Sequence, residues 1–192
     1  MILASGSPRR AEILKTCGFV FDVIMPQADE KMDLGLPVNE ACEKVALQKA
    51  LEVCEKINEG VIVSADTIVV LDGQIMGKPV DDEDAFRMLK ALSGKEHEVI
   101  TAVTLAVKDT GGVKTDVFSE SSKVFMKDIT DEEIIEYIRT REPADKAGGY
   151  AVQGRGALFI EKIEGDFFNI MGLPVSRLYD HIKRLEIEIA QG

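Results

Sequence analysis

An apolar run from Val61 to Leu71 contains a single acidic residue, Asp66, and it constrains the fold more than any other segment. Its β-branched stretches, 61–63 and 67–71, predict strands. An ionised carboxylate in a central strand is costly unless it meets a metal ion, a cation or several hydrogen-bond donors. The alternative is a bulge or a strand end that leaves the acid in solvent. Because the flanking residues are so apolar, we favour a functional role for Asp66.

Strand and helix patterns alternate along the rest of the chain. A short strand over 2–4 precedes a helix that starts at Pro8, behind Ser7, and a strand returns over 19–25. The clearest helix spans 39–58, where apolar residues recur at the three- and four-residue spacing of a buried face. Further signals predict a hairpin turn at 72–73, helices over 81–94 and 130–141 and from 174 onward, and strands over 97–107, 113–127 and 158–163.

The length and net charge of the chain limit the classes of protein to which it can belong. The chain has 192 residues, 45% of them apolar and 30% charged, which predicts one globular domain of 1–192, with two lobes, and excludes disorder. The net charge of −11 argues against binding to nucleic acid or to an anionic membrane, both of which attract basic surfaces. An anionic small molecule would need a local basic pocket or a metal ion.

Cysteine usage and the N-terminal pattern predict a cytoplasmic protein. No run approaches the ~20 apolar residues of a membrane span, and Arg9 and Arg10 follow the apolar N-terminal stretch, the reverse of a secretory signal. The chain has an odd number of cysteines, three, and they lack metal-ligand spacing. They are Cys17, Cys42 and Cys54, and all lie in segments with helical patterns. We therefore expect reduced, buried thiols.

The segment Ser5-Gly6-Ser7-Pro8-Arg9-Arg10 carries a strand into a helix N-terminus. Free N–H groups, the helix dipole, two hydroxyls and two guanidiniums converge there, a combination that suits phosphate. The alternative is a capped helix with two solvated arginines.

Lys49 falls on the apolar stripe of the helix over 39–58. Its side chain either extends along the apolar surface to water or points into a pocket that needs a cation. In both cases we expect Lys49→Met to raise stability slightly, because the change removes an awkwardly placed charge.

The other candidate residues give only weak functional signals when each is taken alone. Glu30 lies in a charged loop, Lys78 lies between Gly77 and Pro79, and the segment 148–156 has glycines that allow close backbone approach to a ligand. Neither a dinucleotide fingerprint nor a Walker motif is present, and His97 and His181 are predicted to be structural. Together, the charged candidate residues are the types that bind a complex of a divalent metal with a polyphosphate. The acids, Glu30 and Asp66, would hold the metal ion, and the cations, Arg9, Arg10, Lys49 and Lys78, would hold the phosphate oxygens.

Several motifs in series carry a resemblance to a known family. They are Leu3 to Arg10, Gln48-Lys49-Ala50, Ala65-Asp66-Thr67, Gly77-Lys78-Pro79, Ser93-Gly94 with His97, Glu142-Pro143 with Asp145 to Gly148, Gln153-Gly154 and Gly172-Leu173-Pro174. With these motifs the chain resembles the Maf family of nucleoside triphosphate pyrophosphatases, also called septum-formation proteins. The resemblance implies an α/β fold: a twisted mixed β-sheet flanked by helices, in two lobes with a central cleft, similar to inosine triphosphate pyrophosphatases. It also implies a homodimer.

The family resemblance implies cleavage of a nucleoside triphosphate into monophosphate and pyrophosphate, with a divalent cation, Mg²⁺ or Mn²⁺. One branch of the family prefers dTTP and UTP, and another prefers 7-methyl-GTP. The chain is similar to the first branch, with Arg9, Asp66-Thr67 and Gln153 at the distinguishing positions and no tryptophan. A glutamine amide both donates and accepts, so it can pair with the N3–H and a carbonyl of uracil or thymine.

The same resemblance implies a role for each site residue. Asp66 is the proton acceptor or a metal ligand, and Glu30 is its metal partner. Arg9, Arg10, Lys49 and Lys78 bind the triphosphate, Ser5 supports a phosphate oxygen, and Thr67 and Gln153 select the base. Two alternatives stay open: a non-catalytic nucleotide-binding regulator of cell division, and a purine-specific enzyme of the same fold, against which Thr67 and Gln153 argue.

Overall fold

The computed structural model describes residues 1–27 and 31–191, and side chains as far as residue 185. The predicted metal ligand Glu30 lies outside the described residues. The strands are β1 (Ile2–Ala4), β2 (Asp22–Val23), β3 (Gly60–Leu71), β4 (Gln74–Met76), β5 (Glu96–Asp109), β6 (Gly112–Met126) and β7 (Ile160–Glu164). The α-helices are α1 (Pro8–Thr16), α2 (Val38–Glu55), α3 (Asp82–Leu92), α4 (Asp131–Arg139), α5 (Phe167–Met171) and α6 (Val175–Gln191). Short 3₁₀ helices cover Glu142–Asp145, Ala147–Gly149 and Arg155–Phe159.

The strands form one mixed sheet in the order β2-β1-β3-β5-β6-β7, with β4 paired to β3. Strand β1 runs parallel to both β2 and β3, whereas β4 is antiparallel to β3 and β7 is antiparallel to β6. The predicted α/β fold with a mixed sheet is therefore confirmed.

The chain divides into two compact units. The first comprises Met1–Asp66, Thr101–Glu120 and Gly172–Gly192, and the second comprises Thr67–Ile100 and Ser121–Met171. The core of the first unit includes apolar side chains from β1, α2, β3 and β5, among them Ala4, Val53, Ile62 and Ala106. The core of the second packs α3 and α4 with β5 and β6 through residues such as Leu89, Leu92, Val99, Val124 and Ile134.

Local signals in the sequence are confirmed where they depend on neighbouring residues alone. Asp72 and Gly73 have φ values of 50° and 77° and join β3 to β4, and positive φ at both residues of a two-residue turn matches the twist of the flanking strands. Asp81 Oδ1 accepts a hydrogen bond from Asp84 N at 2.8 Å. Thr130 and Glu133 form the predicted capping box at the start of α4.

Two predictions about elements and burial differ from the structure, and one helix was not predicted. The strand predicted over 19–25 is reduced to Asp22–Val23, whereas the runs over 61–63 and 67–71 join into one continuous strand through Asp66, as the favoured placement of the acid in a central strand requires. Helix α5 was not predicted, because five residues are too few to show a helical period. The prediction that Cys17 is buried is wrong, since it follows the last residue of α1 and is exposed, whereas Cys42 and Cys54 are buried free thiols in α2. Among the residues described, no helix is long and apolar enough to span a membrane.

Candidate active site

The first unit holds a buried ion pair between α2 and β3. Lys49 Nζ lies 2.7 Å from Asp66 Oδ1, and the two residues are 3% and 7% exposed. Strand β3 continues through the acid, and the apolar stripe of α2 brings Lys49 to the same place. The bulge or strand-end alternative for Asp66 is therefore wrong, and Lys49 does not extend to water.

The ion pair reverses the expected effect of removing Lys49. Without the ammonium group, the Asp66 carboxylate would remain buried and uncompensated, and breaking a buried pair in this way typically costs about 3–5 kcal/mol. Lys49→Met is therefore expected to destabilise the chain. The expectation from the sequence considers the lysine without a partner, and the ion pair replaces it with the opposite prediction.

A third group at this position, Cys42, was not predicted. Its Sγ donates to the Asp66 backbone oxygen at 3.5 Å and to Asp66 Oδ2 at 3.8 Å. Burial, followed by the charge of Asp66, raises the pKa of the Cys42 thiol to about 12, so it stays protonated and acts as a donor. The available signal was its position seven residues before Lys49, which places both on one face of a helix.

The segment that was predicted to bind phosphate is held by Arg10 and Ser5. Arg10 Nη1 donates to Ser5 Oγ at 3.1 Å, and Arg10 Nε donates to the Gly172 carbonyl at 2.8 Å. Both side chains are buried, and Ser5 Oγ also accepts from Ser7 N at 3.1 Å. The solvated alternative is wrong for Arg10, and Arg9 is half-buried.

Arg10 and Asp66 both act electrostatically on Cys42. The positive charge of Arg10 lowers the pKa of the thiol, and the negative charge of Asp66 raises it, although burial is the largest influence. The first unit therefore brings Ser5, Arg10, Lys49 and Asp66 into two directly bonded pairs, and one charged member of each pair acts on the Cys42 thiol. Gly172, which anchors Arg10, was part of the family motif but had no predicted role.

The remaining predicted residues belong to the second unit. Thr67 is half-buried in β3 directly after Asp66, Lys78 is exposed after β4, and Gln153 is exposed in a turn. The backbone next to Lys78 is fixed, since the Gly77 carbonyl accepts from Gly148 N at 3.0 Å.

The histidines have structural partners. His97 Nε2 is 2.7 Å from Tyr150 Oη, and burial lowers the pKa of His97 to about 4, so the ring is neutral at pH 7. His181 is buried and stacks on Phe118.

The first unit offers two kinds of chemistry. Its buried cations can bind anionic oxygens, and the Asp66 carboxylate can accept a proton or coordinate a divalent ion. Carboxylate oxygen is the donor type that Mg²⁺ and Mn²⁺ prefer, so Asp66 fits such an ion. Within the described part of the chain, no three His, Cys, Asp or Glu side chains form a metal-binding group.

Known proteins match the chain over nearly its whole length. A dTTP/UTP pyrophosphatase of Carboxydothermus hydrogenoformans is 50% identical over 181 residues, which cover 94% of this chain and 96% of the relative. The dTTP/UTP pyrophosphatase of Acetivibrio thermocellus is 43% identical, covering 98% and 96%. One from Bacillus cereus is 41% identical, covering 100% and 98%. The model of the family described as Maf-like protein matches residues 1–185, and the chain therefore belongs to the Maf-like protein family.

Proposed function

We propose that this chain hydrolyses dTTP and UTP to the corresponding monophosphate and pyrophosphate. The relatives that are 41–50% identical carry this activity in their names. The structural observation that supports the proposal most strongly is the buried Lys49–Asp66 pair, because a buried acid and cation in contact are the groups that hydrolysis of a polyphosphate requires.

Asp66 is the proton acceptor in this proposal. Lys49 donates to Oδ1 at 2.7 Å, and Oδ2 receives the weaker thiol donor of Cys42 at 3.8 Å. We assign Oδ2 as the oxygen that takes the proton of the attacking water, since a thiol is easily displaced from a carboxylate. Cys42 thus orients the carboxylate before the water arrives, and Lys49 orients it during the step itself.

Arg10, Lys49 and Ser5 bind phosphate oxygens, together with Arg9. Binding requires Lys49 to share its ammonium between Asp66 and the phosphate, and three N–H donors allow this. The hydrogen bond from Arg10 Nε to Gly172 holds the guanidinium plane in place, so that little conformational entropy is lost when substrate binds. These cations stabilise the charge that develops on the leaving pyrophosphate.

A divalent cation, Mg²⁺ or Mn²⁺, is part of the proposal, with Asp66 and Glu30 as its ligands. When bound, it would neutralise phosphate charge and make water a better nucleophile at neutral pH. The overall charge of −11 adds to its importance, because bare triphosphate is repelled by an acidic protein.

The residues of the second unit keep the roles that the family resemblance implies. Lys78 binds phosphate, and Thr67 and Gln153 select the base. We also propose that the protein is a homodimer, as the family resemblance implies, and that it is cytoplasmic, as its cysteine usage and N-terminal pattern predict.

The test is pyrophosphate release by the purified chain across a panel of nucleoside triphosphates, with Mg²⁺ and with Mn²⁺. We expect turnover of dTTP and UTP in preference to purine triphosphates and 7-methyl-GTP, and loss of turnover with a chelator. Binding of UTP without turnover would instead identify a non-catalytic nucleotide-binding regulator. Preferential release from a purine triphosphate would contradict the base assignment.

A further inference from the structure

The turn that carries Gln153 is tied at one end to Tyr137 and at the other end to Glu142, and these two side chains are hydrogen-bonded to each other. The carbonyl of Ala151 accepts from Gly154 N at 3.4 Å, which places Val152 and Gln153 at the two corners of the turn. On one side, Ala151 N donates to Tyr137 Oη at 3.0 Å. A turn closed by one long backbone hydrogen bond depends on such outside contacts for a fixed position.

The other end of the turn is held by Glu142. Arg155 N donates to Glu142 Oε2 at 3.0 Å, and Gly156 N donates to Glu142 Oε1 at 3.0 Å. Tyr137 Oη donates to the same Oε1 at 2.7 Å, which links the two anchors. One phenol and one carboxylate therefore satisfy three backbone N–H groups that flank Gln153.

Both anchors are themselves well fixed. Tyr137 is buried, and its ring meets that of Phe159 edge to face, with the centroids 5.2 Å apart. Burial opposes ionisation of Glu142, but hydrogen bonds from Gly156, Tyr137 and Arg155 outweigh burial and keep the pKa of the carboxyl below its usual range. Glu142 is thus a carboxylate, an acceptor only, at neutral pH.

The glycines of the loop are explained by the same anchors. A Cβ at Gly154 would overlap the carboxylate of Glu142, and a Cβ at Gly156 would lie 2.7 Å from Tyr137 Oη. The anchors therefore occupy the space that any side chain at these two positions would need.

We propose that Tyr137 and Glu142 are positioning residues for base selection, which act by holding the Gln153 turn in place. The proposal rests on the proposed function, in which Gln153 reads the pyrimidine edge. A glutamine amide discriminates uracil from cytosine only if its position is fixed, because the two bases exchange donor and acceptor along one edge of rings of equal size. Tyr137 and Glu142 themselves contact the turn, not the base.

The test compares kcat/KM for UTP with kcat/KM for CTP in Glu142→Gln and Tyr137→Phe. In Glu142→Gln, the amide NH₂ would face groups that donate hydrogen bonds to the carboxylate in the wild type. In Tyr137→Phe, the hydroxyl that accepts from Ala151 N is removed. We expect the UTP-to-CTP ratio to fall by about tenfold in each variant, as for a lost hydrogen bond to a charged or buried group, with the loss mainly in KM for UTP. Glu136→Gln in α4 and Tyr179→Phe in α6 are matched controls, since both residues are exposed, and should keep the wild-type ratio.

The Gln153→Ala background separates positioning from general damage. If Glu142 acts through Gln153, Glu142→Gln should change the ratio no further in this background. An equal, additive loss there, or an unchanged ratio in both single variants, would overturn the proposal.

Amide hydrogen exchange tests the anchors without turnover. Exchange at Arg155 and Gly156 should be at least about tenfold faster in Glu142→Gln, and exchange at Ala151 should be faster in Tyr137→Phe. Unchanged exchange would overturn the positioning proposal and leave the proposed function in place. Absence of turnover in the wild-type chain would overturn the proposed function, and with it the selectivity role, so the two failures are distinguishable.

Discussion

Lys49 Nζ donates to Asp66 Oδ1 at 2.7 Å, and both residues are almost fully buried. Lys49 lies on helix α2 and Asp66 on strand β3, 17 residues apart in the chain. Each charge compensates the other in a place where either alone would be costly. In the proposed function, stability and chemistry are therefore coupled through this one pair.

Lys49→Met should lower both stability and activity. We expect the free energy of unfolding to fall by about 3–5 kcal/mol, because Asp66 is left buried without its partner, and kcat/KM to fall at least about tenfold. Urea denaturation and steady-state kinetics measure the two effects. Lys44→Met on the same helix is the control, since Lys44 forms an exposed pair with Asp33 at 3.1 Å and should cost at most about 1 kcal/mol. A Lys49→Met chain as stable as the wild type would contradict the ion-pair account.

Asp66→Asn should retain the shape of the site, lower stability because Lys49 keeps only a neutral partner, and lose most of the turnover. The amide oxygen can still accept from Lys49, but it cannot take a proton from water, so kcat should fall by about 10²–10⁴-fold. Asp72→Asn, at the exposed turn that ends the same strand, is the matched control and should behave as the wild type. Near-normal turnover by a folded Asp66→Asn chain would remove Asp66 from its proposed role.

Substitution of Cys42 should affect the Asp66 carboxylate less than substitution of Lys49 does. Cys42→Ala removes the donor to Asp66 and should reduce kcat by about two- to tenfold, as for one ordinary hydrogen bond. Cys42→Ser restores a donor and should recover most of that loss. Rescue by serine distinguishes hydrogen bonding from simple packing, and equal activities for the two variants would contradict the role of the thiol.

His97 should make stability depend on pH in a defined window. Its pKa is about 4 in the folded chain, against an ordinary 6.5, so the unfolded chain binds a proton between these values and the folded chain does not. The free energy of unfolding should therefore fall by about 3 kcal/mol from this group as pH drops from 6.5 to about 4, and then level off. Denaturation of the wild type and His97→Phe across this range measures the contribution. A decline of equal size in both would assign it to other groups.

The sequence predicted those features that depend on adjacent residues or on one helical face. The turn at Asp72-Gly73, the cap at Asp81 and the capping box of Thr130 and Glu133 need only local geometry. Lys49 and Asp66 are charged residues at positions where the pattern predicts apolar ones, so each could be identified as a candidate functional residue.

Long-range pairing could not be predicted in the same way. Nothing in either apolar pattern shows that Lys49 and Asp66 are partners, because that follows from how α2 packs on β3. Glu142 had no predicted role beyond its place in the family motif, since its backbone donors lie 13 and 14 residues later in the chain. The strand predicted over 19–25 was too long because β-branched residues indicate extended backbone but not whether a neighbouring strand pairs with it.

The central claim is cleavage of dTTP and UTP between the α- and β-phosphates, and product analysis tests it most directly. Purified chain is incubated with UTP and Mg²⁺ or Mn²⁺, and the products are resolved by phosphorus NMR. The account predicts UMP and pyrophosphate in equal amounts, formed by the wild type and almost absent with Asp66→Asn. Formation of UDP and orthophosphate, or of no product with either metal, would contradict it.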